Sequence, residues 1–437
     1  MDTIYIHGGR PLRGTLAVQG SKNAVLPLLA AAAAVPGKTV LLHCPPIRDV
    51  AVTRAILHRL GVSSRQSGDR LELDASAVGT APDAALAGQL RSSVLLLGAL
   101  IGRHGSAEIP LPGGCVLGAR PLDLHLTGLE ALGVHVLCEE GVLRCQGRPS
   151  GGTVLLSYPS VGATENLMLA ALGASGPVCI CGAAKEPEIQ ELAVFLNACG
   201  ANITGAGSST VRITPAPLHG ASHRVLPDRI EAATWLCAAA ATGGCLTLTE
   251  LRPAHLRPVL EVLSRAGCEI TETETTLTLR ADALTAPGTV ITGPYPAFPT
   301  DAQAPVMAAL LMAEGITCIE ETVFENRFRH VCALRALGAS IDCTGRIACV
   351  HGVKALHGAA LTATDLRGAA AMVCAALSAQ GESRITQAWH LDRGYGELIP
   401  RLRTLGAEVW MEPKQSSIRR TTWNRTESGP ANGELAP

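Results

Sequence analysis

Residues 131–146 read ALGVHVLCEEGVLRCQ, and the junction between helix and strand in this stretch recurs along the whole chain. Gly133 follows a helical segment, and the residues after it alternate in polarity on both sides of EEG, which predicts a strand hairpin. A glycine suits the left-handed conformation that often ends a helix, because it has no Cβ. The stretch is therefore predicted to close one structural unit.

Six segments share this junction, and their spacing is nearly constant. They are RLGVSS, ALGVHV, ACGANI, RAGCEI, ALGASI and TLGAEV. Their glycines are Gly61, Gly133, Gly200, Gly267, Gly338 and Gly406, with successive separations of 72, 67, 67, 71 and 68 residues. So steady a period indicates an internal repeat of six units.

Each unit also contains a helix that is apolar on nearly every side, such as SSVLLLGALIG or EAATWLCAAAA. Such a helix must be covered all round, whereas a second, more amphipathic helix in the unit can lie at the surface. One unit then runs strand, buried helix, strand, outer helix and hairpin. Six units predict an α/β fold of two three-fold domains, with helices within and sheets outside. The helix-breaking segment VLPDRI, residues 225–230, falls halfway, although the period does not fix the domain boundary.

Composition limits the possible functions. At 437 residues the chain exceeds the usual size of one core, so two domains are expected. A formal net charge of −1 argues against a nucleic-acid-binding surface, and the apolar runs fall short of the roughly 20 residues of a membrane span. The 15 cysteines are scattered without a C-x-x-C pair, which favours a reducing cytoplasm and no metal site. Residues 414–437 are polar and aperiodic, and we expect a disordered tail there.

Unusual polar residues gather at two junctions in every unit. The first junction opens the buried helix, and it holds Lys22, Asn23, Arg91, Ser160, Arg229, Asp301, Asp365 and Arg367. The second opens the outer helix, and it holds Asp49, Arg120, Glu188, His255, Arg327 and Arg393. Since helix N-termini carry unpaired N–H groups and a positive dipole end, several together predict a site for a multiply charged anion.

Each of these residues also has a purely structural explanation. For an Asp at a helix start, capping is the commoner role, and this applies to Asp301 and Asp365 taken singly. An Arg there opposes the helix dipole, so Arg91 and Arg229 indicate a nearby anion or carboxylate. A single cysteine in a loop is more often incidental than reactive. Cys115 nevertheless lies among glycines in the loop LPGGCVLGARPLDLH, near cationic side chains that stabilise a thiolate.

Nine segments carry a resemblance to a known family. They are GSKNAVLPLLAAA, LPGGCVLGARPLDLH, SVGATEN, EPEI, VLPDRIE, FPTDAQA, ETVFENRF, ATDLRG and HLDRGY. In this order, over about residues 1–411, the chain closely resembles the UDP-N-acetylglucosamine enolpyruvyl transferases. The resemblance implies a pair of inside-out α/β barrels with the active site in the cleft between them. It also implies that residues 22–226 form one domain and that residues 1–21 with 227–413 form the other.

The resemblance implies a reaction as well. In the family, the 3-hydroxyl of UDP-N-acetylglucosamine adds to C2 of phosphoenolpyruvate and phosphate is then eliminated, which commits the sugar to peptidoglycan. Cys115 resembles the proton donor and the residue that forms a covalent phospholactoyl adduct, and Asp301 resembles the base near the sugar hydroxyl. No metal or organic cofactor is expected, because arginines and helix dipoles can stabilise the developing charges.

The remaining site residues follow from the same resemblance. Lys22, Arg120 and Arg393 resemble a clamp for phosphoenolpyruvate, and Arg327 is expected close by. The UDP-sugar is expected on Asn23, Arg91, Arg120, Pro121, Leu122, Asp123, Leu124, Ser160, Val161, Gly162, Asp301 and Val323. Asp365 and Arg367 are expected to support the cleft. Some relatives have a lysine where Tyr158 stands, so a direct ammonium contact to the diphosphate is expected to be missing.

Three alternatives remain open at this point. The nearest is a related transferase that acts on shikimate 3-phosphate, for which the loop GGCVLGARP is not expected. A second is a catalytically silent paralogue that binds the UDP-sugar. A third is a repeat scaffold for protein partners, which would not need charges at the mouths of buried helices. Oligomeric state does not follow from the sequence.

Overall fold

The computed structural model of the protein describes residues 3–111 and 122–412. The strands are β1 (Thr3–His7), β2 (Arg13–Ala17), β3 (Lys38–Leu42), β4 (Ser63–Ser67), β5 (Arg70–Asp74), β6 (Ser106–Pro110), β7 (His135–Glu139), β8 (Val142–Gln146), β9 (Gly152–Leu155), β10 (Val178–Cys181), β11 (Asn202–Thr204), β12 (Thr210–Thr214), β13 (Ser222–Arg224), β14 (Cys245–Thr249), β15 (Glu269–Glu272), β16 (Thr276–Arg280), β17 (Thr289–Ile291), β18 (Ile316–Glu320), β19 (Ser340–Thr344), β20 (Ile347–His351), β21 (Ala360–Thr362), β22 (Glu382–Thr386) and β23 (Glu408–Glu412).

The helices alternate with these strands. They are α1 (Lys22–Ala34), α2 (Arg48–Arg59), α3 (Ala84–Ala87), α4 (Leu95–His104), α5 (Asp123–Ala131), α6 (Val161–Ala171), α7 (Pro187–Ala198), α8 (Arg229–Ala241), α9 (Arg257–Arg265), α10 (Thr300–Ala309), α11 (Val331–Ala336), α12 (Leu366–Ser378) and α13 (Leu398–Thr404). Short 3-10 helices cover Arg91–Val94, Pro253–Leu256 and Ala388–Arg393.

The predicted repeat is confirmed. In the fifth unit, β17 pairs in parallel with β18, and β18 pairs antiparallel with β20 of the hairpin β19–β20. Helix α10 follows the first strand of this unit, and α11 follows the second. Five sheets contain four strands in the equivalent order, while the described residues give the sheet β6-β8-β7 only three.

The six junction glycines have the backbone conformation that the sequence predicted. Their φ angles lie between +81° and +99°, in the left-handed region, where a side chain would be strained. Each glycine lets the chain leave an outer helix and turn at once into a strand, as at Gly133 between α5 and β7. In five units this strand opens a hairpin, whereas after Gly406 it is β23, which pairs with β1. The spacing of these glycines therefore sets the size of the unit.

The helices α1, α4, α6, α8, α10 and α12 are buried almost throughout, as expected from their apolar sequences. They pack closely because small residues face one another. A Cβ at Gly98 of α4 would lie 2.0 Å from the carbonyl oxygen of Asn166 in α6. A Cβ at Gly102 would lie 2.3 Å from that of Leu169. Each sheet then covers the outward side of this helical interior.

Buried apolar residues form two hydrophobic clusters. One contains residues between Ala24 and Val225, and the other combines Ile4–Val18 with residues from Ala232 to Val409. The N-terminal strands explain the second grouping, because β1 lies between β22 and β23 and β2 pairs in parallel with β14. We propose that the clusters mark two domains divided as expected, at 22–226 and at 1–21 with 227–413.

Two further observations concern the chain as a whole. Cys318 and Cys349 form a disulfide that the sequence did not predict, because its formation depends on strand register. These cysteines are 31 residues apart but directly opposite in β18 and β20, with Cα atoms 4.1 Å apart.

Within the described ranges, none of the helices has the length and apolar character required to cross a membrane.

Candidate functional site

Lys22 and Arg393 converge on one carboxylate. Lys22 opens α1 and its Nζ lies 2.8 Å from Oδ2 of Asp49, at the start of α2. Arg393 ends the 3-10 helix of the sixth unit, and its Nε and Nη2 donate to the two oxygens of Asp49 at 3.0 and 3.2 Å. Lys22 is next to the start of one hydrophobic cluster at Ala24, and Arg393 lies between Leu391 and Tyr395 of the other, so Asp49 links residues that flank the two clusters.

Burial and charge act against each other in this triad. Burial lowers the pKa of Lys22, and the carboxylate of Asp49 acts to raise it again without reversing the shift. Burial acts to raise the pKa of Asp49, but the charges of Lys22 and Arg393 outweigh it, so this pKa lies below its usual value. A substrate anion would meet two cations already fixed in place, and it would compete with Asp49 for them.

Asp301, the predicted base, is not a helix cap. It lies in the first turn of α10, whose N-cap is Pro299. Its Oδ1 accepts a hydrogen bond from Nη2 of Arg327 at 2.7 Å, and its Oδ2 accepts from Nη2 of Arg367 at 3.2 Å and from Nδ2 of Asn23 at 3.3 Å. The carboxylate is held by three donors that lie far apart along the chain.

Asp365 does cap its helix, as the structural explanation predicted. Its Oδ1 accepts from the backbone N–H groups of Arg367 and Gly368 at 3.1 and 3.0 Å. This cap fixes the start of α12 and with it the position of Arg367, whose Nη1 donates to the hydroxyl of Tyr395 at 3.3 Å. Burial acts to lower the pKa of Arg367, but Asp301 outweighs it and keeps the guanidinium charged.

A second carboxylate contact bridges the two clusters. Arg229, at the start of α8, donates from Nε and Nη2 to Glu188 at 2.9 and 3.2 Å. The neighbouring Glu186 accepts from the backbone N–H of Tyr295 at 3.3 Å. Arg229 was predicted to have an anion or a carboxylate nearby, and the partner is the carboxylate of Glu188.

Six of the residues expected to hold the UDP-sugar lie at the starts of α5 and α6. Leu122 precedes α5, and Asp123 and Leu124 form its first turn. Ser160 caps α6 by accepting from the backbone N–H of Ala163 at 3.3 Å, and Val161 and Gly162 follow. These two helix starts form a surface of half-buried and exposed residues suited to an extended ligand.

His125 joins these helices, although it was not predicted as a site residue. Its Nδ1 lies 3.0 Å from Nδ2 of Asn166, so the amide donates and the ring proton is on Nε2. A Cβ at Gly162 would lie 3.4 Å from that Nε2, so the ring lies against the start of α6. Burial first, and the charge of Arg91 second, lower the pKa of His125 to about 4. Arg91 is therefore close enough for its positive charge to lower the pKa of His125 in α5.

Tyr158 and Val323 lie at the remaining edge. Burial and the carboxylates of Glu186 and Glu321 raise the pKa of Tyr158, which is 43% exposed. Glu321 also accepts from the backbone N–H of Val323 at 2.8 Å. Tyr158 is therefore near acidic groups.

Cys115, Arg120 and Pro121 lie outside the described residues, and their predicted roles stay predictions. The other predicted residues include two charged groups: Lys22 and Arg393 meet at Asp49. Asn23, Arg327 and Arg367 meet at Asp301. Sequence reasoning noted Asp49 at a helix start but gave it no role, and it did not single out Tyr395. Within the described ranges, no group of three or more His, Cys, Asp and Glu side chains could hold a metal ion.

The fold and the charged groups at Asp49 and Asp301 define a class of protein that comparison identifies. A profile of EPSP synthase (3-phosphoshikimate 1-carboxyvinyltransferase) matches residues 6–402, and the chain belongs to this family. Among solved structures, the enolpyruvyl transferase NikO from Streptomyces tendae is similar, with a TM-score of 0.86 and 28% identity over 94% of this chain and 99% of that one. EPSP synthase from Acinetobacter baumannii has the same fold, with a TM-score of 0.72 and 18% identity over 94% and 100% of the two chains.

Within this family, the chain is similar over nearly its whole length to curated relatives that share one name. The UDP-N-acetylglucosamine 1-carboxyvinyltransferase of Gluconacetobacter diazotrophicus is 42% identical over 415 residues, covering 94% of this chain and 99% of the relative. The protein of the same name from Magnetococcus marinus is 43% identical over 416 residues, with the same coverage. The similarity therefore extends over nearly the full length of these relatives.

Proposed function

We propose that the protein transfers the enolpyruvyl group of phosphoenolpyruvate to the 3-hydroxyl of UDP-N-acetylglucosamine and releases phosphate. The observation that carries the proposal is the convergence of Lys22, Arg327, Arg367 and Arg393 around two carboxylates. Four cations in one cleft suit a phosphorylated carboxylic acid beside a diphosphate. The names of the relatives described above support the choice of UDP-N-acetylglucosamine as acceptor.

The reaction assigns a task to each group. The O3–H bond of the sugar breaks as O3 bonds to C2 of phosphoenolpyruvate, and Asp301 receives that proton. A second proton is added to C3, and we assign its delivery to Cys115. In the resulting tetrahedral adduct the C2–O bond to phosphate then breaks, and the thiolate of Cys115 takes back a C3 proton, which leaves the enol ether. The departing phosphate carries away the proton held by Asp301, so both side chains return to their starting states. Lys22 and Arg393, with Arg120, hold the phosphate and carboxylate of phosphoenolpyruvate through these steps.

The acceptor decides between the candidate functions. Purified protein is incubated with phosphoenolpyruvate and either UDP-N-acetylglucosamine or shikimate 3-phosphate, and released phosphate is measured. We expect release with the UDP-sugar alone, together with a product whose mass exceeds that of the sugar by one enolpyruvyl group. Release with shikimate 3-phosphate would assign the other transferase activity. Binding of the UDP-sugar without release would identify a silent paralogue.

A further inference from the structure

Gln19 lies where the chain first passes from one hydrophobic cluster to the other, between β2 and α1. Its backbone is fixed on the side of α8. The backbone N–H donates to Oε2 of Glu231 at 2.9 Å, and the carbonyl accepts from the N–H of Asp228 at 2.9 Å. The half-buried side chain therefore projects from an anchored point.

The side-chain amide of Gln19 holds a distant piece of backbone at two positions. Its Nε2 donates to the carbonyl of Gly394 at 2.8 Å, and its Oε1 accepts from the N–H of Gly396 at 3.0 Å. An amide that donates and accepts in this way satisfies two backbone groups of the turn between the 3-10 helix Ala388–Arg393 and α13. Residues 393–396 therefore form a clamped segment.

Close packing fixes the same segment from another side. A Cβ at Gly396 would lie 2.8 Å from Cγ of Pro46 and 3.0 Å from Oε1 of Gln19. Only a glycine fits between these two neighbours without displacing one of them. The clamped segment is consequently pressed against the loop that precedes α2, which carries Asp49.

Two side chains of the site project from the clamped segment. Arg393 reaches Asp49 through two hydrogen bonds, beside Lys22. Tyr395 is buried, and its hydroxyl lies 2.9 Å from Oγ1 of Thr234 and accepts from Arg367. A shift of the segment would therefore displace the guanidinium of Arg393 and loosen the support of Arg367.

We infer that Gln19 is a positioning residue for the transfer reaction: by clamping residues 393–396 it holds Arg393 in place to grip phosphoenolpyruvate. The inference rests on the proposed function. Gln19 touches neither substrate, and it acts through the backbone of Gly394 and Gly396. Binding of phosphoenolpyruvate is therefore expected to depend on Gln19. Recognition of the UDP-sugar at α5 and α6 does not depend on it.

Gln19→Met removes both amide hydrogen bonds while keeping the length of the side chain. We expect the KM for phosphoenolpyruvate to rise by about tenfold, since each lost hydrogen bond contributes a factor of roughly 2 to 10. The KM for UDP-N-acetylglucosamine should change by less than about twofold, because that surface is not touched. The matched control is Gln66→Met in the hairpin β4–β5, where a half-buried glutamine also donates to a glycine carbonyl, that of Gly68, at 3.2 Å. The control should leave both KM values unchanged.

Gly396→Ala tests the same clamp from the opposite side, because the added methyl must displace Gln19 or Pro46. It should raise the same KM, and the double variant should be no worse than the poorer single variant, since both changes disrupt one contact. Melting temperatures are measured for all variants. An unchanged KM for phosphoenolpyruvate in Gln19→Met, or an equal rise in both KM values, would overturn the inference. Wild-type protein without transfer activity would instead refute the proposed function.

Discussion

Asp49 shows how one residue organises the charged cleft. It is 2% exposed, and its two oxygens accept from Lys22 at the start of α1 and from Arg393 at the end of the last 3-10 helix. A buried carboxylate is costly unless it is paired, and here two cations provide the pairing. In return, Asp49 holds Lys22 and Arg393 in the arrangement that we propose for gripping phosphoenolpyruvate.

Asp49→Asn should weaken this arrangement while preserving the shape of the side chain. We expect kcat/KM for phosphoenolpyruvate to fall by about tenfold to hundredfold, as for hydrogen bonds to charged groups. The carboxylate of Asp49 raises the pKa of Lys22 against the effect of burial, so its removal lowers that pKa further. The loss of activity at high pH should therefore begin at a lower pH in the variant. Asp69→Asn, in the exposed turn between β4 and β5, is the control, and an alkaline limb at the same pH in both variants would contradict the argument.

Local sequence could not distinguish the roles of Asp301 and Asp365. Both stand at the start of an inner helix, yet Asp365 accepts from its own helix and Asp301 accepts from three side chains at other points of the chain. The sequence period also could not identify Asp49 as the partner of Arg393, because the two residues are 344 positions apart. Contacts of this kind arise only when the units are placed against one another.

At the scale of elements, glycine determines how close two inner helices come. Gly98 and Gly102 lie one turn apart on α4, and both face backbone oxygens of α6. At the end of α6, a Cβ at Gly173 would lie 1.7 Å from the carbonyl oxygen of Gly102. The two helices therefore touch backbone to backbone, and the sheets around them are spaced to match.

Gly98→Ala should be strongly destabilising for this reason. The new methyl would lie 2.0 Å from the carbonyl oxygen of Asn166, a distance that forces α4 and α6 apart. Overpacking of this kind costs about 1–3 kcal/mol and more when backbone must move. Gly79→Ala is the control, since its methyl would approach Leu60 only to 3.6 Å. Chemical denaturation of the two variants gives the free energies of unfolding, and equal values would show that α4 and α6 can separate without cost.

At the scale of the molecule, the sequence predicted the structural features that recur in every unit. It did not predict the features that occur only once. The glycine period gave the unit, its element order and the buried helices, because each is a local property encoded six times. Among the described residues, the sheet β6-β8-β7 with three strands and the disulfide between Cys318 and Cys349 depart from the repeat, and the period contained no signal for them. The family resemblance assigned residues 1–21 to the second domain, but it did not place β1 between β22 and β23, since strand pairing across about 400 residues leaves no local pattern.

Two buried histidines give the two hydrophobic clusters a common sensitivity to acid. Burial lowers the pKa of His125 to about 4, with Arg91 adding to the effect. Burial likewise lowers the pKa of His330 to about 4, against an opposing contribution from Asp365. His125 belongs to the half built around α4 and α6, and His330 precedes α11 in the other half. Both rings are therefore neutral in the folded protein near pH 7.

The sign of the resulting pH dependence follows from proton binding. Unfolded histidine takes up a proton below about pH 6.5. The folded rings take one up only near pH 4. Between these values the unfolded chain binds more protons, so the free energy of unfolding falls as the pH is lowered from about 6.5 to about 4. Each histidine contributes on the order of 3 kcal/mol to this fall.

Replacing both histidines should therefore flatten the acid side of the stability profile. The variant His125→Gln/His330→Gln cannot take up these protons, and its free energy of unfolding should decline much less between pH 6.5 and pH 4 than that of the wild type. His58→Gln, at an exposed position in the last turn of α2, should follow the wild-type profile. Urea denaturation at several pH values gives the slope of the free energy of unfolding against pH. A constant loss of stability caused by the substitutions does not change this slope. Parallel slopes for the wild type and the double variant would mean that other groups set the acid sensitivity of this fold.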